Sequence, residues 1–135
     1  MTNDPMAGCR VLVVEDEMLI AIEIEDTLKA LGCAVVGPVG RLDAALELAA
    51  NGAMDAAILD VTIRGGEVYP VAEKLLERRI PFILSSGYGD WALPKAMQDR
   101  PRLTKPFTSA ELEEQVRRLC QAAGEGKPRP TSPAG

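Results

Sequence analysis

The chain has no histidine and only three cysteines in 135 residues, and this scarcity excludes several kinds of site. Cys9, Cys33 and Cys120 are widely spaced and form no Cys-x-x-Cys pair, and no histidine is present to complete a zinc-binding set. An odd number of isolated cysteines is typical of reduced thiols in a cytosolic protein. We therefore expect three reduced cysteines here.

Long apolar runs and an excess of basic residues are also missing. No segment reaches the roughly 18 consecutive apolar residues of a membrane-spanning helix, and no basic region followed by an apolar one marks a signal peptide. The formal net charge of −5 argues against binding to nucleic acid or to a membrane surface, because proteins with those functions usually carry a basic face. These absences predict a cytoplasmic protein with no nucleic-acid or membrane partner.

Short aliphatic runs alternate with segments of helical periodicity along most of the chain. The predicted strands are 10–14, 34–36, 55–60, 81–85 and 102–104, and the predicted helices are 17–31, 41–50, 70–79, 90–98 and 108–123. Five β–α units in alternation predict an α/β domain with a doubly wound, five-stranded parallel sheet of the flavodoxin-like type.

The domain boundaries follow from composition. Residues 1–8 are interpreted as an N-terminal extension and residues 9–123 as the domain. Residues 124–135 have almost nothing to bury and predict a disordered tail. Between the third strand and the third helix, Thr62 to Glu67 is predicted to form a loop.

Four of the predicted strands end at polar residues that have no role in a core. Glu15 and Asp16 follow the first strand, Asp60 ends the third, Ser86 follows the fourth and Lys105 follows the fifth. Each alone has an ordinary explanation, such as a helix cap or a turn. Together they are expected to meet, because ligand sites in such sheets lie beyond the carboxyl ends of the strands. Carboxylate oxygens are suitable ligands for Mg²⁺, and a lysine with a hydroxyl suits phosphoryl oxygens.

These residues resemble the receiver domain of two-component response regulators. The resemblance runs from about Arg10 to Gln121, and its motifs in order are Glu15-Asp16, Asp60, Ser86 and Lys105-Pro106-Phe107. The segment 81–89 is similar to the FATGUY subgroup of the family, whose fourth strand ends Phe-Ala-Thr-Gly-Tyr.

The resemblance implies a role for each residue. Asp60 would be the nucleophile that accepts a phosphoryl group. Asp16 would bind Mg²⁺ directly, Glu15 would bind it through water, and the backbone carbonyl of Thr62 would be a further ligand beside Asp60. Lys105 and Ser86 would bind phosphoryl oxygens, and the Lys105–Pro106 peptide bond would be cis.

The resemblance also implies a function. The chain would be a stand-alone response regulator that takes a phosphoryl group from a histidine kinase or a histidine phosphotransfer protein. It would catalyse its own phosphorylation and dephosphorylation without being a turnover enzyme. Its signal would pass to an unknown partner through the predicted fourth helix, fifth strand and fifth helix, and it would be a monomer or a weak dimer. A phosphate sink or shuttle in a phosphorelay is the alternative within the family.

One departure from the family pattern concerns signalling. Many receivers carry an aromatic switch residue three positions before the lysine, and that position is Arg102 here. Tyr88 is a candidate substitute for it, and a packing role for this tyrosine is equally consistent with the sequence.

Three other readings remain open from the residues alone. A haloacid-dehalogenase-like phosphohydrolase also uses an aspartate at a strand end, but it needs a second aspartate two residues later, where this chain has Thr62. A flavodoxin-like cofactor binder would place a phosphate where Glu15, Asp16 and Glu17 would repel it. The third is a receiver fold that no longer uses phosphorylation.

Overall fold

A computed structural model describes residues 6–87, 94–98 and 100–126. Its elements in chain order are β1 Arg10–Val14, α1 Met18–Ala30, β2 Ala34–Val39, α2 Leu42–Asn51, β3 Ala56–Asp60, β4 Thr62–Ile63, β5 Gly66–Glu67, α3 Tyr69–Glu77, β6 Phe82–Ser86, β7 Arg102–Thr104 and α4 Ser109–Gly126. A 3-10 turn, Lys95–Met97, precedes β7.

The main sheet has five parallel strands in the order β2-β1-β3-β6-β7, which confirms the predicted fold class. The strand order reverses direction at β1 and β3, so the crevice at their carboxyl ends is where ligands bind in such sheets. Glu15 follows β1 and Asp60 ends β3. The topology alone therefore places these two carboxylates at the expected binding position.

Helices cover both faces of the sheet, because β1, β3 and β6 are apolar on both sides. One face packs against α2 and α3, with Leu12, Leu59 and Leu84 in its core. The other packs against α1 and α4, with Val13, Ile58 and Ile83 alternating with the first set. This alternation decides which strand-end side chains share a face.

The C-terminal helix begins with a capping box. Thr108 Oγ1 accepts a hydrogen bond from Glu111 N at 3.0 Å, and Glu111 Oε1 accepts one from Thr108 N at 2.8 Å. The helix continues to Gly126, so residues 124–126 are helical and the predicted tail boundary is too early. Residues 127–135 lie outside the described part of the chain.

Two predicted boundaries near the site are wrong. The second strand was expected to stop before Gly37-Pro38, but β2 runs to Val39 through a cis Gly37–Pro38 bond and a register shift against β1. Gly37 has φ +96°, a conformation that a glycine adopts without strain. The predicted loop from Thr62 to Glu67 contains a two-stranded antiparallel hairpin, β4 with β5.

The helix predicted over 90–98 is not an α-helix where the structure describes it. Residues 90–93 lie outside the described ranges. Pro94 has an extended backbone, and only the 3-10 turn follows it, because proline lacks the N–H that an α-helix would use at this position.

Residues 6–8 are the described part of the predicted N-terminal extension, and they form a turn before β1. Met6 is buried and belongs to the core between the sheet and helices α1 and α4. The expectation of three reduced cysteines is wrong for two of them, since Cys9 and Cys120 form a disulfide. The fold brings the start of β1 and the end of α4 together, with a Cα–Cα distance of 6.1 Å. Cys33 is outside this pair, and its sulfur lies 4.0 Å from that of Cys120. Within the described residues, no helix is both long and apolar enough to cross a membrane.

Candidate phosphoryl site

The carboxylates at the ends of β1 and β3 are buried side by side. Val14 pairs with Leu59 in the sheet, so the next residues, Glu15 and Asp60, project on the same face. Glu15 is 4% exposed and Asp60 is 7% exposed. Because an unpaired buried carboxylate is costly, these groups need a cation.

Lys105 supplies a positive charge to this pair from the last strand of the sheet. Its Nζ lies 3.0 Å from Glu15 Oε1, 3.3 Å from Asp60 Oδ2 and 3.8 Å from Glu17 Oε1. Burial opposes the charged form of Lys105, but its contacts with Glu15 and Asp60 prevail and raise its pKa. The lysine is therefore a fixed charge at the edge. The Lys105–Pro106 bond that follows it is cis, as the resemblance implied.

Asp60 binds protons more readily than an ordinary aspartate. Burial and the neighbouring Glu15 raise the pKa of Asp60 from 3.8 to about 7, although Lys105 acts in the opposite direction. Its nearest backbone donor is Thr62 N, 3.4 Å from Oδ1. One lysine thus only partly balances the two buried carboxylates, so an additional cation would favour the ionised form.

A candidate cation site lies beside the two buried carboxylates. Oxygen atoms of Glu15, Asp16 and Asp60 all fall within 4.8 Å of one another. The set contains only hard oxygen ligands, and its charge exceeds that of Lys105, so its chemistry fits Mg²⁺. Asp16 is the most exposed of the three. Gly40 allows the β2–α2 loop to pass close to it, since a Cβ at this glycine would lie 3.0 Å from the Asp16 Cα.

An open cavity of about 420 Å³ gives access to the carboxylates. Its lining residues are Asp16, Glu17, Asp60, Thr62, Ser86, Gly87 and Lys105. The structure thus brings together the predicted residues from β1, β3, β6 and β7, with Glu15 buried beneath them. Arg102, at the position of the usual aromatic switch, is half-buried in β7. Tyr88 lies outside the described residues.

Three features of the site were not predicted. Glu17 adds a third acidic contact to Lys105, and Ser85 is fully buried beside Asp60. Helix α1 exposes an apolar patch next to the cavity, made of Met18, Leu19 and Ile22. These three are 75%, 83% and 45% exposed. Their signal in the sequence was an excess of apolar residues beyond the single stripe that packs on the sheet.

Known proteins with a similar fold and sequence identify the family. No family model matches the chain. The solution structure of SdrG from Sphingomonas melonis is 42% identical, with a TM-score of 0.71 over 86% of this chain and 96% of that one. A second solution structure shows SdrG in a beryllofluoride-activated conformation, at 43% identity and a TM-score of 0.71 over 84% of this chain and 98% of that one. The chain belongs to the receiver domains of response regulators.

Two further relatives define the family in more detail. The receiver domain of the sensor histidine kinase PA1611 from Pseudomonas aeruginosa is 27% identical, with a TM-score of 0.73 over 85% of this chain and 99% of that one. That crystal structure holds a magnesium ion in its active-site cleft. The transcriptional regulatory protein PdtaR of Mycobacterium tuberculosis is 30% identical over 107 residues, which cover 76% of this chain. The chain spans about half the length of this curated relative, 52%.

Membership of this family makes the chain a signalling domain and not a turnover enzyme of the usual kind. Receiver domains interact with histidine kinases or phosphotransfer proteins. This family assignment favours the receiver interpretation over the phosphohydrolase and cofactor-binding alternatives.

Proposed function

We propose that the chain is a signalling switch whose Asp60 accepts a phosphoryl group from a histidine kinase or a histidine phosphotransfer protein in a Mg²⁺-dependent reaction. The observation that carries this proposal is the arrangement around Asp60. A buried carboxylate with a raised pKa lies between an acidic cation site and Lys105, and an open cavity leads to it.

The reaction uses groups that this chain supplies. A carboxylate oxygen of Asp60 forms a bond to phosphorus while the bond from phosphorus to the donor's imidazole nitrogen breaks, and the donor leaves as neutral histidine after taking up a proton. Charge spreads over the phosphoryl oxygens during transfer, so positioned cations supply most of the catalysis. Lys105 provides one of these charges, and Ser86 at the cavity wall offers a hydroxyl as a donor.

The acidic residues of the site would hold Mg²⁺. Glu15, Asp16 and Asp60 provide side-chain oxygens, and the Thr62 backbone carbonyl is the further ligand that we propose. When bound, the ion offsets the repulsion between the carboxylates and the incoming phosphoryl group. The magnesium in the cleft of the PA1611 receiver supports this assignment.

The apolar patch on α1 suits the phosphoryl donor. The patch of Met18, Leu19 and Ile22 begins two residues after Asp16, which lines the cavity. A protein that docks on this patch therefore places its phosphohistidine near the cavity. Exposed contiguous apolar surface of this kind often marks a site of protein–protein contact. We assign the donor to this patch and the downstream partner to the face that includes residues 94–98, β7 and α4.

A phosphorylated Asp60 would add charge of about −1.5 to −2 at the sheet edge, which partners can read. A sink or shuttle in a phosphorelay uses the same chemistry and differs only in where the phosphoryl group goes next. A cytoplasmic location, and a monomer or weak dimer, are parts of the same proposal.

Amide NMR spectra with Mg²⁺ and beryllofluoride test the site. We expect the amides of Asp16, Asp60, Ser86 and Lys105, and those of β7 and α4, to shift when beryllofluoride is added to the protein already in Mg²⁺. Asp60→Asn should abolish these shifts, because the beryllium–oxygen bond needs the carboxylate. Shifts that persist in Asp60→Asn, or an unchanged wild-type spectrum, would overturn the proposal.

A further inference from the structure

Strand β7 is shorter than its neighbour β6, and this difference leaves a gap at the edge of the sheet. The register begins with Leu84 opposite Arg102, so Phe82 and Ile83 at the start of β6 extend beyond the first residue of β7. A cavity of about 570 Å³ lies beside these two residues. It lies at the amino ends of the strands, whereas the phosphoryl site lies at their carboxyl ends. Its volume is within the range of roughly 300–1,000 Å³ that is typical of binding pockets.

The floor of this cavity is apolar. Phe82 and Ile83 belong to the buried core and line it from the sheet. Leu119 of α4 is also buried and lines it from the helix, and the exposed Ala122 continues this apolar surface. The floor can therefore take up an apolar side chain of a partner, and burial of such groups is a main source of binding energy at interfaces.

The rim of the cavity carries positive charge. Arg100, Arg102 and Arg118 line it together with Gln98 and Gln115, and none of the described lining residues is acidic. The whole chain has a formal net charge of −5, so this concentration of arginines is a local feature. We call the cavity with its apolar floor and its three arginines the arginine groove.

Arg100 and Arg118 are positioned in ways that keep their charge available to a partner. The Cζ atom of Arg100 lies 5.5 Å from the centroid of the Phe82 ring, and a cation–π contact positions a charge without neutralising it. Arg118 Nε lies 2.9 Å from Glu114 Oε2, but both side chains are exposed, and exposed ion pairs contribute little stability. A partner's carboxylate can therefore replace Glu114 with little loss of free energy.

The combination of arginines and an apolar floor favours an acidic peptide. The planar guanidinium group binds carboxylates through paired N–H donors, and carboxylates on either side of an apolar residue would match both parts of the groove. A nucleic acid fits less well, because α4 also carries Glu111, Glu113 and Glu114, which repel phosphate groups.

We propose that the arginine groove binds an acidic segment of the downstream partner, in which carboxylates flank one or two apolar side chains. This inference rests on the proposed function, since that function assigns the downstream partner to the face that includes β7 and α4. The carboxylates bind Arg100 and Arg118 at the rim, and the apolar side chains cover Phe82 and Leu119. The groove does not include Asp60, so its binding chemistry can be tested separately.

A fluorescein-labelled peptide with a central leucine pair and glutamates on both sides tests the assignment. It is titrated into the wild type in Mg²⁺ alone and in Mg²⁺ with beryllofluoride, so that both states of the switch are sampled. We expect saturable binding in at least one state, with shifts of the amides of Arg100, Gln115 and Leu119 in NMR spectra. A matched peptide with glutamines in place of the glutamates should bind about tenfold more weakly. Absence of binding in both states would overturn the proposal.

Variants of the rim arginines locate the binding. Arg100→Gln and Arg118→Gln should each weaken binding of the acidic peptide by about threefold to tenfold, because each removes one charged contact. Arg117→Gln is the matched control, since Arg117 lies next to Arg118 and 3.9 Å from Glu114 but does not line the groove. It should bind within about twofold of the wild type, because salt screens charges outside the contact. Equal losses in Arg117→Gln and Arg118→Gln would show a general charge effect and overturn the site.

Two other occupants would be detected by related measurements. Binding of a labelled single-stranded oligothymidylate that is lost in Arg118→Gln would assign the groove to nucleic acid and overturn the acidic partner. Dimerisation of the wild type in sedimentation velocity that is lost in Arg100→Gln would assign the groove to a second copy of the chain, and would overturn it as well.

The outcomes separate this inference from the proposed function. If beryllofluoride leaves the wild-type spectrum unchanged, the proposed function fails, but peptide binding that depends on Arg100 and Arg118 would still support an acidic partner. If beryllofluoride shifts the spectrum and the acidic peptide does not bind, this inference alone is overturned.

Discussion

The ammonium group of Lys105 lies 3.0 Å from Glu15 Oε1, although the two residues follow strands at positions two and five of the sheet. This contact spans the edge at which Asp60 also meets the lysine. One cation is therefore shared by two buried carboxylates before any phosphoryl group arrives. The positive charge of Lys105 only partly offsets the two negative charges of Glu15 and Asp60. The first two predictions follow from this imbalance.

Replacing Lys105 with methionine should destabilise the protein at neutral pH. The change leaves Glu15 and Asp60 buried without their shared cation, and breaking a buried pair in this way costs about 3 kcal/mol. Urea unfolding in EDTA measures the loss. Lys74→Met is the matched control, because Lys74 forms an ion pair with Glu77 at the surface. This variant should change stability by less than about 1 kcal/mol. Equal stability of the two variants would contradict the charge balance described above.

The stability of the cation-free protein should fall between about pH 4 and pH 7. The pKa of Asp60 is raised to about 7 in the fold from 3.8. A carboxyl group with a raised pKa contributes stability below its unfolded pKa, and this contribution is lost as the pH rises through the folded pKa. We expect a loss on the order of 2–4 kcal/mol across this range in EDTA.

Asp60→Asn should remove most of this pH dependence, because asparagine does not titrate, and the variant should be more stable than the wild type at pH 7.5. Asp43→Asn is the control, since Asp43 is exposed and should leave the profile unchanged. Thermal melts at a series of pH values measure both. A wild-type profile that is flat, or that rises with pH, would show that Asp60 is not buried as described.

Leu19→Glu should slow phosphorylation by a histidine kinase without slowing phosphorylation by the small donor acetyl phosphate. Leu19 is 83% exposed in the first turn of α1, so the change costs little stability, but it places a charge in the proposed docking patch. We expect transfer from the cognate kinase to slow by about tenfold or more, as for a central apolar contact at an interface. Phosphorylation by acetyl phosphate should stay within about twofold of the wild type, since a twofold change corresponds to only about 0.4 kcal/mol.

Glu23→Gln offers a control on the exposed surface of the same helix, outside the patch. The cognate kinase is found by testing kinases of the source organism for transfer to the wild-type chain. Equal losses of Leu19→Glu with kinase and with acetyl phosphate would place the effect in the site and contradict the docking assignment.

Reduction of the Cys9–Cys120 disulfide should lower the stability of the fold. The bond closes a segment with a sequence separation of 111 residues. Such a long loop corresponds to as much as about 4–5 kcal/mol in the chain-entropy description. Unfolding with and without a thiol reductant measures this difference, which Cys9→Ser should reproduce without the reductant. Cys33→Ser keeps the bond and should keep its sensitivity to the reductant. Insensitivity of the wild type would mean that the bond does not form in solution.

The sequence predicts most of the sheet because its central strands β1, β3 and β6 each contain an apolar run of three or more residues. It also predicts that Asp60 and Lys105 approach each other, since parallel strands carry their end residues to one edge. The prediction of an α-helix over 90–98 was wrong for residues 94–98. Pro94 has no N–H for an α-helical hydrogen bond, and the spacing of apolar residues did not reveal the 3-10 turn. The predicted end of β2 was wrong because a Gly-Pro pair usually ends a strand, whereas β2 continues through Gly37-Pro38 to Val39.

Other features depend on contacts between residues far apart in the chain, which a local sequence pattern does not reveal. Cys9 and Cys120 meet only after the whole domain has formed, and their spacing in the chain resembles that of unpaired thiols. The difference between Ser85 and Ser86 also depends on the fold and not on the local sequence. Both are serines at the end of β6, and only the register with β3 shows that Ser85 is the one paired with Asp60.

The most direct measurement is the intact mass of the protein after incubation with acetyl phosphate and Mg²⁺, followed by peptide mapping. We predict a gain of one phosphoryl group on the peptide that contains Asp60, no gain in EDTA, and none in Asp60→Asn. A wild-type protein that gains no mass, or a gain that persists in Asp60→Asn, would contradict the assignment of Asp60 as the phosphoryl acceptor.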